Sequence, residues 1–221
     1  MNVLVVGASR GIGLEFVRQY REAGAGVLAT ARDDAGLERL RALGATAITL
    51  DVADAASASS LAWHIDGASL DVAIVNAGVS GGRGAGLATP ALDDFDRVMR
   101  TNVLGPMRVV PQIVEALAPG GKVAVLSSRM GSIGARTAAG SSLYRASKAA
   151  VNSVVKDASL AYAGRAVCVA FHPGWVRTDM GGSGADIDVK TSVAGMRRVV
   201  AALSARDNGA FLDYDGKAIA W

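Results

Sequence analysis

The stretch Asn2-Val3-Leu4-Val5-Val6-Gly7-Ala8-Ser9-Arg10-Gly11-Ile12-Gly13 decides the fold. A Val-rich apolar run stops at a glycine turn, and a helical pattern begins at Ile12. Gly7, Gly11 and Gly13 permit a tight turn and let a pyrophosphate approach the backbone, while the first helical amides and the helix dipole aim at the anion. The spacing is G-x-x-x-G-x-G rather than the more familiar G-x-G-x-x-G, and a plain glycine turn ahead of a helix is the competing reading. The strand before and the helix after favour a dinucleotide, held by Gly7, Ser9, Arg10, Gly11, Ile12 and Gly13.

Outward from this unit the pattern repeats. β-Branched runs at 2–6, 26–31, 45–50, 72–75, 122–127, 166–171 and 210–212 alternate with helical periods at 12–23, 35–43, 57–65, 92–117, 142–163 and 192–204. Such alternation predicts an α/β class of Rossmann type: one doubly wound parallel sheet of about seven strands over residues 1–221, with helices on both faces. Thr89-Pro90 reads as cap and first-turn proline of the fourth helix. Right-handed crossovers then place the loops after the strands along one edge, where ligands gather. Two glycine-rich stretches follow strands at that edge and read as mobile site-covering loops: 78–86, with five glycines in nine residues, and 181–188, a short substrate lid. Ordinary surface loops are the alternative for both.

Composition agrees. Of 221 residues, 51% are hydrophobic and only 5% aromatic, with 27 glycines, so the core is built from Ala, Val, Leu and Gly rather than from rings. Disorder is excluded by so apolar a chain. No apolar stretch reaches the roughly 18 residues of a membrane span, and the start lacks a basic flank, which predicts a soluble chain without a signal peptide. The one cysteine, Cys168, sits in an apolar run, permits no intrachain disulfide and fits a reducing cytoplasm. A net charge of +3 from scattered residues gives no nucleic-acid footprint.

The second strand ends at Ala31, followed by Arg32, where an NAD site would want a carboxylate for the ribose 2′-hydroxyl. Arg32 and Arg10 suit a 2′-phosphate instead, which points to NADP(H); the alternative is two solvated helix-end charges. Asp51 and Val52, after the third strand, fall near the adenine, and Asp51 reads equally well as a helix cap. Tyr144-Arg145-Ala146-Ser147-Lys148 sets Tyr144 and Lys148 one helical turn apart. At about 4 Å and an effective dielectric near 20 the ammonium favours phenolate by at most about 4 kcal/mol. Ser127-Ser128, ending the preceding strand, supply a hydroxyl to hold a substrate oxygen beside the phenol.

With these segments in place the chain resembles the short-chain dehydrogenase/reductase family. The resemblance rests on Gly7 to Gly13, Asn76-Ala77-Gly78, Asn102 in Asn102-Val103-Leu104-Gly105-Pro106, Ser128, Tyr144 to Lys148, and Pro173-Gly174-Trp175-Val176-Arg177-Thr178. Within it, residues 127–132, 144–148 and 209–221 look like the C-factor and sniffer-type carbonyl reductase branch. The resemblance implies that Tyr144 donates a proton to a carbonyl, that Lys148 lowers its pKa and binds the nicotinamide ribose, and that Ser128 holds the substrate oxygen. It implies that Asn102 positions a water toward Lys148, and that Asn76, Ala77 and Gly78 shape the fourth strand's end against the cofactor. Pro173, Gly174, Val176 and Thr178 would bind the nicotinamide end. Three departures stand out: Ser128 precedes Tyr144 by about three residues more than is common, leaving Ser127 as a rival, Val6 replaces a frequent Thr, and Val75 a frequent Asn.

His64 and His172 have no partners at ligand spacing, so no metal is expected. No G-x-S-x-G elbow surrounds Ser127-Ser128, which argues against hydrolysis. Trp175, Met180 and Ile133 line the substrate pocket or else pack in core or interface. Trp221 covers its own site, packs in a dimer contact, or frays. The expected protein is a cytoplasmic, NADP(H)-dependent reductase of a small carbonyl or oxidant of the alcohol. A homodimer or homotetramer through the helices from Leu92 and Ser142 is expected, and a binding or signalling protein with little turnover is the alternative.

Overall fold

The computed structural model describes residues 1–81 and 87–221; residues 82–86, the greater part of the glycine-rich stretch read as a site-covering loop, lie outside the description. Seven strands form one sheet: β1 (Asn2–Val6), β2 (Gly26–Ala31), β3 (Thr46–Thr49), β4 (Leu70–Val75), β5 (Leu117–Leu126), β6 (Val167–His172) and β7 (Phe211–Asp213). Their order is β3-β2-β1-β4-β5-β6-β7, and every neighbouring pair is parallel. The order reverses beside β1, the switch point that opens a crevice at the carboxyl edge.

Alternation along β1 shows why both faces are covered. Val3 and Val5 join Phe16, Val17 and Tyr20 of α1 (Gly11–Glu22), Leu37 and Leu40 of α2 (Asp34–Ala42), and Val193 and Met196 of α8 (Val189–Ala202). Leu4 and Val6 face the opposite way, onto α4 (Leu61–Ile65), α6 (Gly105–Glu115) and α7 (Ser142–Ala161) through Ile65, Ile113 and Val151. A strand buried on both faces reads as a continuous apolar run, as β1 does. None of the described helices is long and apolar enough to cross a membrane.

Three local expectations are corrected. The helix read at 57–65 is two pieces, α3 (Ala55–Ser59) and α4, because the Ser59 and Ser60 hydroxyls donate to the carbonyls of Ala55 and Ser57 and compete with the ladder. The helix read at 92–117 is α5 (Leu92–Met99), a widened turn of π type (Arg100–Leu104) and α6, and Leu117 already belongs to β5. Pro106 lacks an amide and its ring would crowd the Asn102 carbonyl four residues back, so the turn opens and Gly105 N–H bonds Arg100 O. Thr89-Pro90 caps nothing: Ala91 holds the N-cap position without a side-chain bond, and Asp93 and Asp94 complement the dipole from the first turn.

The glycine turn after β1 is pinned from below. Asn76 Nδ2 donates to Gly7 O at 2.5 Å, and a Cβ at Gly13 would stand 2.3 Å from that oxygen and 2.7 Å from Asn76 Nδ2. Gly13→Ala should therefore lower stability by about 3 kcal/mol in urea titration, since the obstacle is backbone and cannot move aside. A loss under about 1 kcal/mol would contradict this packing.

Candidate active site

A cleft of about 300 Å³ runs along the carboxyl edge from β2 to β6. After β1, midway along it, Gly7, Ser9, Arg10, Gly11 and Ile12 line it. The N-cap residue of α1 is Arg10, in extended conformation with no side-chain capping bond and no acid in the first turn, so the first amides remain available to an anion. Thr30 holds this turn, its hydroxyl accepting from Gly7 N at 2.9 Å and its carbonyl from Ala8 N at 2.7 Å. Sequence reading missed Thr30, because its partner lies 23 residues away.

Arg32, Asp51 and Val52 line the end of the cleft toward β2 and β3. Asp51 Oδ1 accepts from Ala53 N, while Asp54 caps α3 through Ser57 N, so the cap reading of Asp51 is corrected by three residues. Both arginines have acidic neighbours: Arg10 pairs with Asp179 across the cleft mouth, and Arg32 stands 3.9 Å from Asp51. All four side chains are substantially exposed, and such pairs contribute little, so an incoming phosphate could displace them. Asp179 lines the cleft unforeseen, and Arg177 lines it within the segment read for the nicotinamide end.

At the far end Asn76, Ala77, Gly78, Tyr144, Lys148, Pro173 and Thr178 close the cleft. Lys148 is buried, its Nζ donating to Leu126 O at 2.8 Å, and desolvation pushes its pKa down to about 8. Burial raises the Tyr144 phenol, and only the Ser128 hydroxyl, hydrogen-bonded to it, works the other way. Lys148 Nζ sits 5.8 Å from the centroid of the Tyr144 ring and donates to the Leu126 carbonyl rather than to the phenol. Between the two serines the bonds discriminate: Ser127 lines the cleft but commits its Oγ to Asn152 Oδ1 and the Lys148 carbonyl, whereas the Ser128 hydroxyl meets the phenol.

Five expected residues do not line the cleft. Gly13 packs beneath the turn. Gly174, at φ +84°, turns the chain against Ile187 and Tyr214, and buried Val176 bridges Ile187. Ser128 lies beyond the cleft at the phenol. Asn102 pairs with Val79 like a strand neighbour, accepting from its N–H at 2.8 Å and donating to its carbonyl at 2.9 Å, with a further bond to Ser147 Oγ. These bonds tie the 78–79 loop to the Asn102 side chain. Thr178 Oγ1 accepts from Gly181 N, and the segment 181–188 is tied down by the Val176–Ile187 bridge and by Trp175 Nε1 on Gly181 O. Ile133, Trp175 and Met180 are exposed, which removes the core reading. Trp221 is not frayed: it stacks on Phe211, and its carbonyl accepts from Ile133 and Gly134 in the loop after Ser128.

Comparison with known proteins agrees with this arrangement. Residues 1–187 match the family model described as short chain dehydrogenase. C-signal of Myxococcus xanthus is 42% identical over 155 residues, 69% of this chain and 93% of that protein. The carbonyl reductase Sniffer of D. melanogaster superposes with a TM-score of 0.90 at 29% identity, covering 100% of this chain and 99% of that one. NADPH-bound carbonyl reductase from chicken fatty liver gives 0.86 at 33% identity, covering 100% and 98%. A parallel sheet with its glycine turn at the switch point, a Tyr and a Lys one helical turn apart, and a family match over most of the length lead to one conclusion: the chain belongs to the short-chain dehydrogenase family, and within it to the C-factor and sniffer type.

Proposed function

We propose that the chain is an NADPH-dependent reductase that converts an aldehyde or ketone to an alcohol. The observation that carries this reading is the placement of Tyr144 at the end of the cleft, with Ser128 at its hydroxyl and Lys148 one turn on. The fit to NADP(H) rests on the uncapped α1 N-terminus and on Arg10 and Arg32 lining the same cleft, with carbonyl reductases bound to NADPH among the similar structures. Gly7 to Ile12 would hold the pyrophosphate, Arg10 and Arg32 the 2′-phosphate, Asp51 and Val52 the adenosine, Asn76 to Gly78 the middle, and Lys148 with Pro173 and Thr178 the nicotinamide end.

A bound NADPH supplies the hydride that reduces the carbonyl carbon. Tyr144 gives its phenolic proton to the carbonyl oxygen, and hydride plus proton make the alcohol. Burial that keeps the phenol protonated at neutral pH suits a donor. Ser128 donates to the same oxygen and sets its distance from the phenol. Lys148 carries the positive charge of the site, and Asn102 positions a water toward it. Residues 181–188 act as a short lid. Exposed Leu92, Phe95 and Met107 on α5 and α6 and Leu160 on α7 offer an apolar face for a homodimer or homotetramer, and one buried thiol suits the cytoplasm.

The test is a panel of aldehydes, ketones and alcohols run with NADPH and NADH side by side. NADPH should bind at least tenfold tighter than NADH, and Arg32→Ala should remove about tenfold of that preference, read as dissociation constants by fluorescence. Equal wild-type affinities would refute the phosphate assignment. The relation to C-signal supports a second reading, an NADP(H)-binding signalling protein with little turnover. Tight NADPH binding without turnover across the panel would favour it.

A further inference from the structure

The proposed chemistry leaves one charged cluster unused. Arg129 directly follows Ser128, at the head of the short 3-10 turn Arg129–Gly131. Its Nη2 donates to Asp213 Oδ2 at 2.6 Å, and the other Asp213 oxygen accepts from Tyr214 N at 2.8 Å. His172 completes the group, under the influence of both charges, with its Nδ1 buried and unbonded among the described residues. Burial pushes its imidazole down to about 4, so at neutral pH it carries no charge and leaves the Asp213 carboxylate to Arg129. These three residues come from, or directly follow, the carboxyl ends of β5, β6 and β7.

The exposures are unequal, and this decides the direction of binding. The Asp213 side chain is 11% exposed and the Arg129 side chain 58%, so the carboxylate lies behind the guanidinium and the fork faces solvent. One N–H is committed to Asp213, and the remaining donors meet no described residue. The turn carrying Arg129 packs tightly on α7, for a Cβ at Gly131 would stand 2.6 Å from the Lys148 carbonyl carbon. A guanidinium held in place by one carboxylate loses little further freedom on gripping a second, and its planar fork matches a carboxylate. Arg129 does not line the nucleotide cleft, which ends at Ser127, Tyr144 and Pro173. It follows Ser128, whose hydroxyl meets the phenol, and pairs with Asp213 at the end of β7, so it stands on the β7 side of that serine.

We propose that Arg129 is a specificity-determining residue that binds a carboxylate on the carbonyl substrate, so that the preferred substrates are oxo acids. This rests on the reductase reading above. The test uses the full chain with NADPH and the 2-, 3- and 4-carboxybenzaldehydes, each against its methyl ester. For at least one isomer the acid should exceed the ester in kcat/KM by about tenfold, through KM, with the advantage shrinking in about 0.5 M NaCl. Arg129→Gln should bring the ratio of acid to ester close to one, and Arg129→Lys should keep part of it. A purely structural clamp would lower acid and ester together and leave the ratio unchanged, which would overturn the proposal. Should Arg129→Gln fail to fold, the wild-type ratio and its salt dependence decide: an ester as good as its acid for all three isomers overturns it. Turnover of esters without acid preference refutes the role of Arg129 alone, whereas no turnover of any acid or ester refutes the reductase reading and this proposal with it.

Discussion

Tyr144→Phe should lower carbonyl reduction by about a thousandfold while NADPH binds within about threefold of wild type. The substitution removes one oxygen from a half-buried ring and leaves the shape of α7 intact. What is lost is the proton donor, and a positioned general acid contributes about a hundred- to ten-thousandfold. Ser128 cannot replace it, since an ordinary hydroxyl is a far weaker acid than a phenol. Single-turnover oxidation of bound NADPH with an aldehyde from the panel reads the chemical step directly. Wild-type activity in the variant would remove Tyr144 from the role of donor.

Lys148→Met should lower turnover by about a hundredfold or more and, unlike Tyr144→Phe, should change how stability depends on pH. Desolvation pushes the buried Lys148 down to about 8 from its usual 10.5. Below pH 8 both folded and unfolded chains hold the proton, and the buried charge costs about 3 kcal/mol of stability. Between about pH 8 and 10.5 the unfolded chain keeps a proton that the folded chain has released, so the folded state gains stability as pH rises. The variant lacks this group and shows no such gain, while the Leu126 carbonyl it leaves unbonded costs about 1–3 kcal/mol at every pH. Wild type minus variant, measured by urea unfolding, should therefore rise by up to about 3 kcal/mol across that window. A flat difference would mean that Lys148 is solvated or paired in the folded protein. A stability cost at neutral pH is what a group kept for its charge at a site would carry.

The fold was legible in the sequence because its signals are local. The run before Gly7, the turn to Gly13 and the helical period after it lie within a few residues of one another, and six further strands repeat the pattern. Breaks in the helices were less legible. Pro106 marks the place where the ladder must open, but whether the chain kinks, ends or widens there depends on what packs around it. Ser59 and Ser60 carry the signal for the break between α3 and α4, though the same residues sit harmlessly in many helices.

The candidate site divides in the same way. Tyr144 and Lys148 are one helical turn apart, so helix geometry alone places them together, and Gly7 to Ile12 follow from the first strand. By itself, then, the sequence determined the sheet, the edge on which its loops gather and the residue types at that edge. Only the tertiary structure decided which partner each side chain takes: Ser128 rather than Ser127 at the phenol, the Leu126 carbonyl rather than the phenol for Lys148, Asp179 for Arg10, Val79 for Asn102, and Asp213, 84 residues away, for Arg129. The reason is physical. Backbone periodicity is set by neighbours along the chain, whereas a charge or a buried hydroxyl takes whichever partner the packing brings within about 3 Å, and that is fixed only when distant strands are aligned.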